Sequence, residues 1–89
     1  MASEQKLLLV DDDPAFLQVM SRALGKRGFA VETAETAEQA LAAVKEAHPQ
    51  YALVDLKLQE SSGLDLVPEL AALDSEMVIV VLTGYASVT

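Results

Sequence analysis

The sequence predicts an α/β domain built on a parallel sheet. Four strand-like runs of five or six residues alternate with three longer segments in which apolar residues recur at helical spacing. Short, nearly unbroken apolar runs suit strands that are buried on both faces, as in a parallel sheet. The resulting order, β-α-β-α-β-α-β, also provides connections of the length that right-handed crossovers require.

The first strand and the first helix meet at a run of aspartates. Lys6–Val10 is apolar after its lysine and is predicted to form the first strand. A helix should begin at Asp13-Pro14, because Asp is a good N-cap and Pro suits the first helical position. The helix is expected to stop between Gly25 and Gly28. Its buried stripe is predicted to be Phe16, Leu17, Met20, Ala23 and Leu24.

A second strand and helix follow. Phe29–Thr33 is predicted to be a short strand. Thr36 is a candidate N-cap for the next helix, and Gln39, three residues on, is its capping-box partner. His48-Pro49 should end this helix, with His48 in a capping or helix-dipole role. Its predicted apolar stripe consists of Ala37, Ala40, Leu41, Val44 and Ala47.

The remaining elements are a third strand, a third helix and a fourth strand. The third strand is predicted over Tyr51–Asp55 and the fourth over Met77–Leu82. A helix should lie between Ser62 and Leu73, and Pro68 should either kink it or mark its start one turn later. The residues predicted to face inward are Leu64, Val67, Leu70 and Ala71.

Composition narrows the classes of partner. The 89 residues suffice for one small domain, and 52% are apolar, so the chain can build a core. The net charge of −8 argues against nucleic-acid and anionic membrane surfaces and favours a cation or a basic protein partner. The absence of cysteine excludes disulfides and thiolate metal sites. Without a signal-peptide pattern or an apolar run near ~18 residues, a cytoplasmic protein is expected.

Acidic side chains end two of the predicted strands, and a hydroxyl follows a third. Asp11 and Asp12 follow the first strand, Asp55 ends the third, and Thr83 and Gly84 follow the fourth. In open parallel sheets, ligands bind beyond the carboxyl ends of the strands. Carboxylates ~4 Å apart there would repel by roughly 4 kcal/mol at an effective dielectric of about 20. This oxygen-only cluster suits Mg²⁺ and leaves a carboxylate as a nucleophile toward phosphorus.

Simpler roles compete for several of these residues. Asp13 precedes Pro14 and is expected only to cap the first helix. Tyr51 and Tyr85 are expected to be packing and rim residues, and Tyr85 is also a candidate gate for the pocket. For a single Asp the capping role would be preferred, whereas three acids and a threonine at coordinated strand ends favour a functional site.

The sequence resembles the receiver domain of two-component response regulators. Three motifs carry the resemblance, namely Leu-Leu-Leu-Val-Asp-Asp-Asp, Leu-Val-Asp-Leu-Lys-Leu with Ser-Gly-Leu-Asp-Leu, and Ile-Val-Val-Leu-Thr-Gly-Tyr-Ala-Ser. The sequence Asp-Leu-Lys-Leu that begins at Asp55 is similar to that of the RegA/PrrA/ActR group of redox-responsive regulators. The resemblance implies a flavodoxin-like fold with strand order 2-1-3-4-5, of which this chain would hold the first four strands.

The resemblance also implies a role for each site residue. Asp55 would accept a phosphoryl group from the phosphohistidine of a sensor kinase. Asp12 would bind Mg²⁺ directly and Asp11 through water or hydrogen bonds, while Asp55 and the backbone carbonyl of Lys57 would complete the protein ligands. Thr83, with Gly84 beside it, would approach the phosphoryl oxygens once Asp55 is modified. The receiver would not be an enzyme in the usual sense, although it would supply most of the catalysis of its own phosphoryl transfer and dephosphorylation.

Residues 1–89 are therefore expected to form one receiver domain that lacks the final helix-strand-helix. The lysine that usually ends the fifth strand and pairs with the phosphoryl group would be among the missing residues. The apolar fourth strand would be an exposed sheet edge, so we expect a fragment or a homo-oligomer formed through this strand or through swapped elements. DNA would be contacted only through a missing output domain that regulates transcription.

Two other functions compete with the signalling role. One is a Mg²⁺-dependent phosphatase or phosphotransferase with an aspartyl nucleophile, although Asp11-Asp12-Asp13-Pro14 lacks the threonine that such hydrolases usually carry after their Asp pair. The other is an interaction module that is not phosphorylated. Turnover of many phosphates per chain would favour the phosphatase or phosphotransferase. Failure of a longer chain to form a phosphoryl adduct with acetyl phosphate and Mg²⁺ would favour the interaction module.

Overall fold

Four strands and three helices alternate along the part of the chain that the structure describes. The structure is a computed structural model that describes residues 5–55 and 63–82, with side chains in the third helix described from residue 66 onward. The elements are β1 (Gln5–Val10), α1 (Pro14–Lys26), β2 (Phe29–Ala34), α2 (Ala37–Ala47), β3 (Tyr51–Asp55), α3 (Gly63–Leu73) and β4 (Val78–Leu82). The predicted order of elements is confirmed.

Three strand boundaries differ by one residue from the prediction. Gln5 joins β1 because it pairs with Phe29, and Ala34 joins β2 because it pairs with Val10. Met77 lies outside β4, since its N–H donates to the carbonyl of Asp74 in the preceding turn at 3.2 Å. Each difference arises from backbone pairing, which the side-chain pattern does not report.

The four strands form one parallel sheet in the order β2-β1-β3-β4. This is the predicted order for the first four strands of a flavodoxin-like fold. Register aligns Val10 of β1 with Val54 of β3, so the carboxyl ends of these two central strands lie side by side. The sheet therefore brings the residues that follow β1 next to the last residue of β3.

The sheet has a separate apolar core on each face. Leu7 and Leu9 of β1 face α1 and pack with Leu17. Leu8 and Val10 point to the opposite face, where they pack with buried side chains of α2 and α3. All four of these β1 residues are 3% exposed or less, which fits a central strand covered on both sides.

Helix α1 begins and ends as predicted, but its buried stripe is narrower. Asp13 is the N-cap, Pro14 is the first helical residue, and the helix ends at Lys26. The prediction that Ala23 faces the core is wrong, because this residue is exposed. It lies one turn from Val19, whose side chain is 66% exposed, at the border of the stripe.

Helix α2 is capped as predicted, with one change of partner. The Thr36 hydroxyl accepts a hydrogen bond from the Gln39 N–H at 3.1 Å. The Gln39 side chain accepts from the N–H of Glu35 at 2.8 Å, one residue before the partner that a capping box would use. The stripe is confirmed, with Ala40 and Val44 buried and its other members half-buried.

His48 ends α2 in a left-handed conformation, with φ 50° and ψ 59°. Its backbone N–H donates to the carbonyl of Val44 at 3.1 Å, which confirms the predicted capping position. The side chain is exposed, and buried Pro49 follows directly. A residue with a β-carbon is strained in this conformation, whereas glycine is not.

Replacement of His48 by glycine is therefore expected to stabilise the fold. His48→Gly should raise the free energy of unfolding by about 0.5–1 kcal/mol, because relief of backbone strain exceeds the added entropy of the unfolded chain. Urea denaturation followed by circular dichroism measures the change. His48→Ala, which keeps the β-carbon, is the matched control and should show no gain. Equal stabilisation by both variants would mean that the histidine side chain, not the backbone, is unfavourable.

Helix α3 departs most from the prediction. It spans Gly63–Leu73, which confirms a helix within the predicted bounds, and it contains Pro68, so of the two alternatives for the proline the later start is wrong. Leu66 and Leu70 are 1% and 0% exposed and form the buried face, one turn apart. Val67 is half-buried, while Ala71 is exposed, which contradicts its predicted inward orientation. Leu64 lies outside the described side chains.

None of the helices in the described ranges is long and apolar enough to cross a membrane.

Strand β4 is paired on only one side within the described part of the chain. Its partner is β3, in a register that places Val78 beside Tyr51 and Val80 beside Leu53. Val78 and Val80 are 52% and 43% exposed on the face that also carries α1. Tyr51 packs edge-to-face on Phe29, with the ring centroids 6.0 Å apart, which confirms its predicted packing role. Oligomer formation through β4 stays a prediction.

Candidate functional site

The candidate site lies at the carboxyl edge of the sheet, where β1 and β3 end together. Asp55 is the last residue of β3, and Asp11 is the first residue after β1. The parallel register of Val10 with Val54 places both residues one step further along, at the same edge. Asp11 is 4% exposed and Asp55 is 5% exposed, and both are acidic residues in a largely apolar interior. Burial of two carboxyl groups is costly, so their surroundings have to compensate.

Backbone contacts fix the position of Asp11. Its N–H donates to the carbonyl of Ala34 at the end of β2 at 3.0 Å. The Asp11 Oδ1 accepts a hydrogen bond from the backbone N–H of Asp13, also at 3.0 Å. The Asp11 carboxyl lies within hydrogen-bonding reach of the carboxyl groups of Asp55 and Asp12. The three predicted acids are therefore brought together around one buried aspartate.

The electrostatics of this cluster raise the pKa of Asp11 to about 6. Burial is the largest cause, followed by the hydrogen bond shared with Asp55. The N–H of Asp13 acts in the opposite direction and lowers the pKa, while the charge of Asp55 and contact with Asp12 raise it further. Each of these effects except the Asp13 hydrogen bond disfavours the ionised carboxylate. The cluster thus carries an excess of negative charge that a cation would relieve.

Asp12 and Asp13 differ from Asp11 in exposure. Asp12 is half-buried and Asp13 is exposed. The Asp13 side chain accepts hydrogen bonds from the N–H groups of Ala15 at 3.0 Å and Phe16 at 3.4 Å. The predicted capping role of Asp13 is confirmed. Sequence reasoning missed the contact of its backbone N–H with Asp11, although an aspartate often accepts from the N–H two residues on.

The donor set fits a hard divalent cation that keeps several waters. Among residues 5–55 and 63–82, no three carboxylate or imidazole groups surround a common point as they would in a cage made entirely of protein ligands. Mg²⁺ rarely needs such a cage, since one or two carboxylates with waters and phosphate oxygens suffice. Asp11 and Asp55 are buried and adjacent, and their charges repel each other. A bound Mg²⁺ would neutralise this repulsion.

The other predicted site residues lie outside the described residues. They are Lys57, Thr83, Gly84 and Tyr85. The last described residue of β4, Leu82, pairs in register with Asp55. Thr83 follows Leu82 directly in the sequence, so the strand that leads to it ends beside the acidic cluster.

Comparison with protein families decides the identity of the domain. Residues 7–89 match the response regulator receiver domain. The chain belongs to the response regulator receiver domain family. This match covers both acidic strand ends and all seven elements of the fold except the first two residues of β1. The receiver domain is thus a module of two-component signalling, and the flavodoxin-like fold predicted for it is confirmed.

The receiver domain is similar to two bacterial regulatory proteins. It is 47% identical to the photosynthetic apparatus regulatory protein RegA of Rhodobacter capsulatus, over 99% of this chain and 48% of the relative. It is 41% identical to the acid tolerance regulatory protein ActR of Rhizobium meliloti (strain 1021), over 96% of this chain and 44% of the relative. The predicted similarity to the RegA and ActR group is confirmed. The chain spans about half the length of these curated relatives.

A solved structure has a fold similar to that of the receiver domain. It is a response regulator protein from Burkholderia pseudomallei, whose crystal structure contains a phosphorylated aspartic acid, a calcium ion and citrate. The TM-score is 0.88 at 36% identity, and the alignment covers 96% of this chain and 50% of the other. At this level of identity the comparison supports family membership as well as the fold.

Proposed function

We propose that Asp55 accepts a phosphoryl group from the phosphohistidine of a sensor histidine kinase, with a divalent cation held beside it. The observation that carries this proposal is the burial of Asp55 at the end of β3, with its carboxyl beside that of Asp11. A rigid strand end fixes the position of the nucleophile, and the neighbouring acids would help to hold the cation. Positioning and charge neutralisation are the main contributions that a protein makes to phosphoryl transfer.

The transfer exchanges one bond to phosphorus for another. An Oδ atom of Asp55 attacks phosphorus, the bond between phosphorus and the histidine nitrogen breaks, and the imidazole leaves with that electron pair. The product is an acyl phosphate on Asp55. When bound, Mg²⁺ would neutralise charge on the phosphoryl oxygens.

Each remaining site residue has a place in this proposal. Asp12 would ligate the cation directly, and Asp11 through water or hydrogen bonds, with the backbone carbonyl of Lys57 as a further ligand. Thr83 and Gly84 would contact the phosphoryl oxygens, and Tyr85 would stand at the entrance. The crystal structure of the Burkholderia pseudomallei relative contains a phosphorylated aspartic acid and a calcium ion, which supports both the modification and the cation.

The biological output would come from elsewhere in a longer protein. RegA and ActR are regulatory proteins about twice the length of this chain. We infer that the corresponding remainder regulates transcription by binding DNA, and that phosphorylation of Asp55 controls it. The receiver domain itself, with a net charge of −8, is a poor match for a polyanion.

Loss of the acceptor carboxylate should abolish phosphorylation. Incubation of the purified chain with acetyl phosphate and Mg²⁺ is expected to add the mass of one phosphoryl group, which hydroxylamine should remove. Asp55→Asn should reduce the adduct to background, because the amide is no nucleophile toward phosphorus. Intact-mass spectrometry measures the adduct.

The matched control is Asp74→Asn, the same change at the opposite end of the sheet, where Asp74 Oδ1 accepts from the Glu76 N–H at 3.0 Å. This variant should be phosphorylated like the wild type. An unchanged adduct in Asp55→Asn would refute the assignment of the acceptor. Release of many phosphates per chain would instead favour a hydrolase.

A further inference from the structure

Asp13 makes contacts on both sides of the junction between β1 and α1. Its side chain accepts from the N–H groups of Ala15 and Phe16 and so caps α1. Its own backbone N–H donates to Asp11 Oδ1 at 3.0 Å. The first contact is usual for an N-cap, but the second ends on a buried carboxylate of the candidate site.

The two contacts depend on the same backbone conformation. Asp13 is extended, with φ −100° and ψ 105°, as an N-cap residue has to be. Pro14, the next residue, also disfavours the helical region for Asp13. In this conformation the N–H points back to Asp11 while the carboxylate points forward to the helix. Loss of the cap would remove one of these two restraints, so Asp13 would vary more within the extended region and its hydrogen bond to Asp11 would weaken.

The hydrogen bond on Oδ1 restricts what Asp11 can do. With Oδ1 engaged by Asp13, the Asp11 carboxyl is held in one orientation beside Asp55 and Asp12.

We propose that Asp13 is a positioning residue for the cation site: by capping α1 it holds its backbone N–H on Asp11 and thereby orients that carboxylate toward a divalent ion shared with Asp55. This inference rests on the proposed function, since it assumes that the cluster binds Mg²⁺. It assigns to the third aspartate of the run a role in the site without making it a ligand.

Two uncharged replacements separate capping from charge. Asp13→Ser keeps a side chain that can cap the helix, whereas Asp13→Ala does not. Both remove the same negative charge, so the difference between them reports the cap alone. Isothermal titration with MgCl₂ should give an affinity about threefold to tenfold weaker for Asp13→Ala than for Asp13→Ser. The effect is smaller than the tenfold to hundredfold loss that follows outright removal of a hydrogen-bond partner of a metal ligand, because the backbone N–H is still present.

A second cap removal controls for loss of stability. Thr36 caps α2 through the Gln39 N–H, so Thr36→Ala should destabilise the chain to a similar extent. Its Mg²⁺ affinity should stay within about twofold of the wild type, because the α2 cap makes no such bond to Asp11. Hydrogen exchange at the amide of residue 13 is an independent measurement. It should accelerate in Asp13→Ala and stay slow in Asp13→Ser.

The outcomes distinguish this inference from the proposed function. Equal Mg²⁺ affinity in Asp13→Ser and Asp13→Ala would overturn the positioning role while leaving the cation site intact. Absence of any Mg²⁺ binding by the wild-type chain would overturn the cation site and the positioning role together. If Asp13→Ala does not fold, Asp13→Gly replaces it, since glycine is better tolerated at an N-cap and also lacks the accepting side chain.

Discussion

At pH 7 and without divalent cations, Asp11→Asn is expected to be more stable than the wild-type chain by up to about 3 kcal/mol. Asp11 is 4% exposed and adjoins Asp55, and its pKa is raised from 3.8 to about 6. At neutral pH the native state therefore has to hold an ionised carboxylate that burial and its neighbours disfavour. The amide of asparagine has a similar shape and carries no charge. Urea denaturation of both chains in EDTA measures the difference.

The same pKa fixes the direction of the pH dependence. The native state holds the Asp11 proton more tightly than the unfolded chain does. The stabilisation that comes from this proton is therefore fully present below about pH 3.8. It is lost as the pH rises through about 6. The stability of the wild type should therefore fall relative to that of Asp11→Asn across this range. A constant difference between the two chains from pH 4 to pH 7 would contradict the assignment.

Mg²⁺ should narrow the difference in stability between the wild type and Asp11→Asn. Millimolar Mg²⁺ is expected to raise the unfolding midpoint of the wild type, because an ion that binds only the native state stabilises it by mass action. Asp11→Asn should respond much less, since it lacks one of the acidic partners of the ion. Asp74→Asn should respond like the wild type. Equal responses by all three chains would show that Mg²⁺ acts elsewhere.

The second large effect is expected in the core beneath α3. Leu70→Ala should lower the free energy of unfolding by about 2–5 kcal/mol, because the side chain is 0% exposed and its removal leaves a cavity. Leu73→Ala is the matched control in the same helix, with a side chain that is 41% exposed. It should cost about 1 kcal/mol or less. Chemical denaturation of both variants, followed by circular dichroism, gives the two values.

The comparison of these two leucines also tests the orientation of α3. A larger loss for Leu73→Ala than for Leu70→Ala would mean that the helix presents a different face to the sheet. Because Leu66 and Leu70 both pack under the sheet with residues of α2, that result would change the whole core on this side.

The sequence predicted the order of the elements because strands buried on both faces leave a clear pattern. Leu7–Val10 and Tyr51–Val54 are apolar without interruption, and the acids that follow them mark the strand ends. Parallel topology then brings those ends together, so the grouping of Asp11 with Asp55 needed no contact information. The same reasoning extends to Thr83, whose role stays a prediction.

Other features depend on information that an apolar pattern does not contain. Ala23 and Ala71 are small, and a short apolar side chain at the border of a helical stripe fits either solvent or core. In α3 several faces are apolar, so the sequence alone did not select Leu66, and the proline obscured the start of the helix. The hydrogen bond from the Asp13 N–H to Asp11 Oδ1 spans two residues, as in an Asx-turn, but the apolar pattern does not indicate which of the three aspartates accepts it.

The two faces of the sheet are unequally secured. Among the described residues, ten buried apolar side chains pack on the face that carries α2 and α3, whereas the face that carries α1 has three, with seven half-buried apolar side chains packed against them. Detaching α1 alone should therefore require less work than unfolding the whole molecule. The aspartate run, residues 11–13, connects α1 to the sheet. A cation bound there would also hold α1 more firmly against the sheet, so α1 should become more rigid as the cation site is filled.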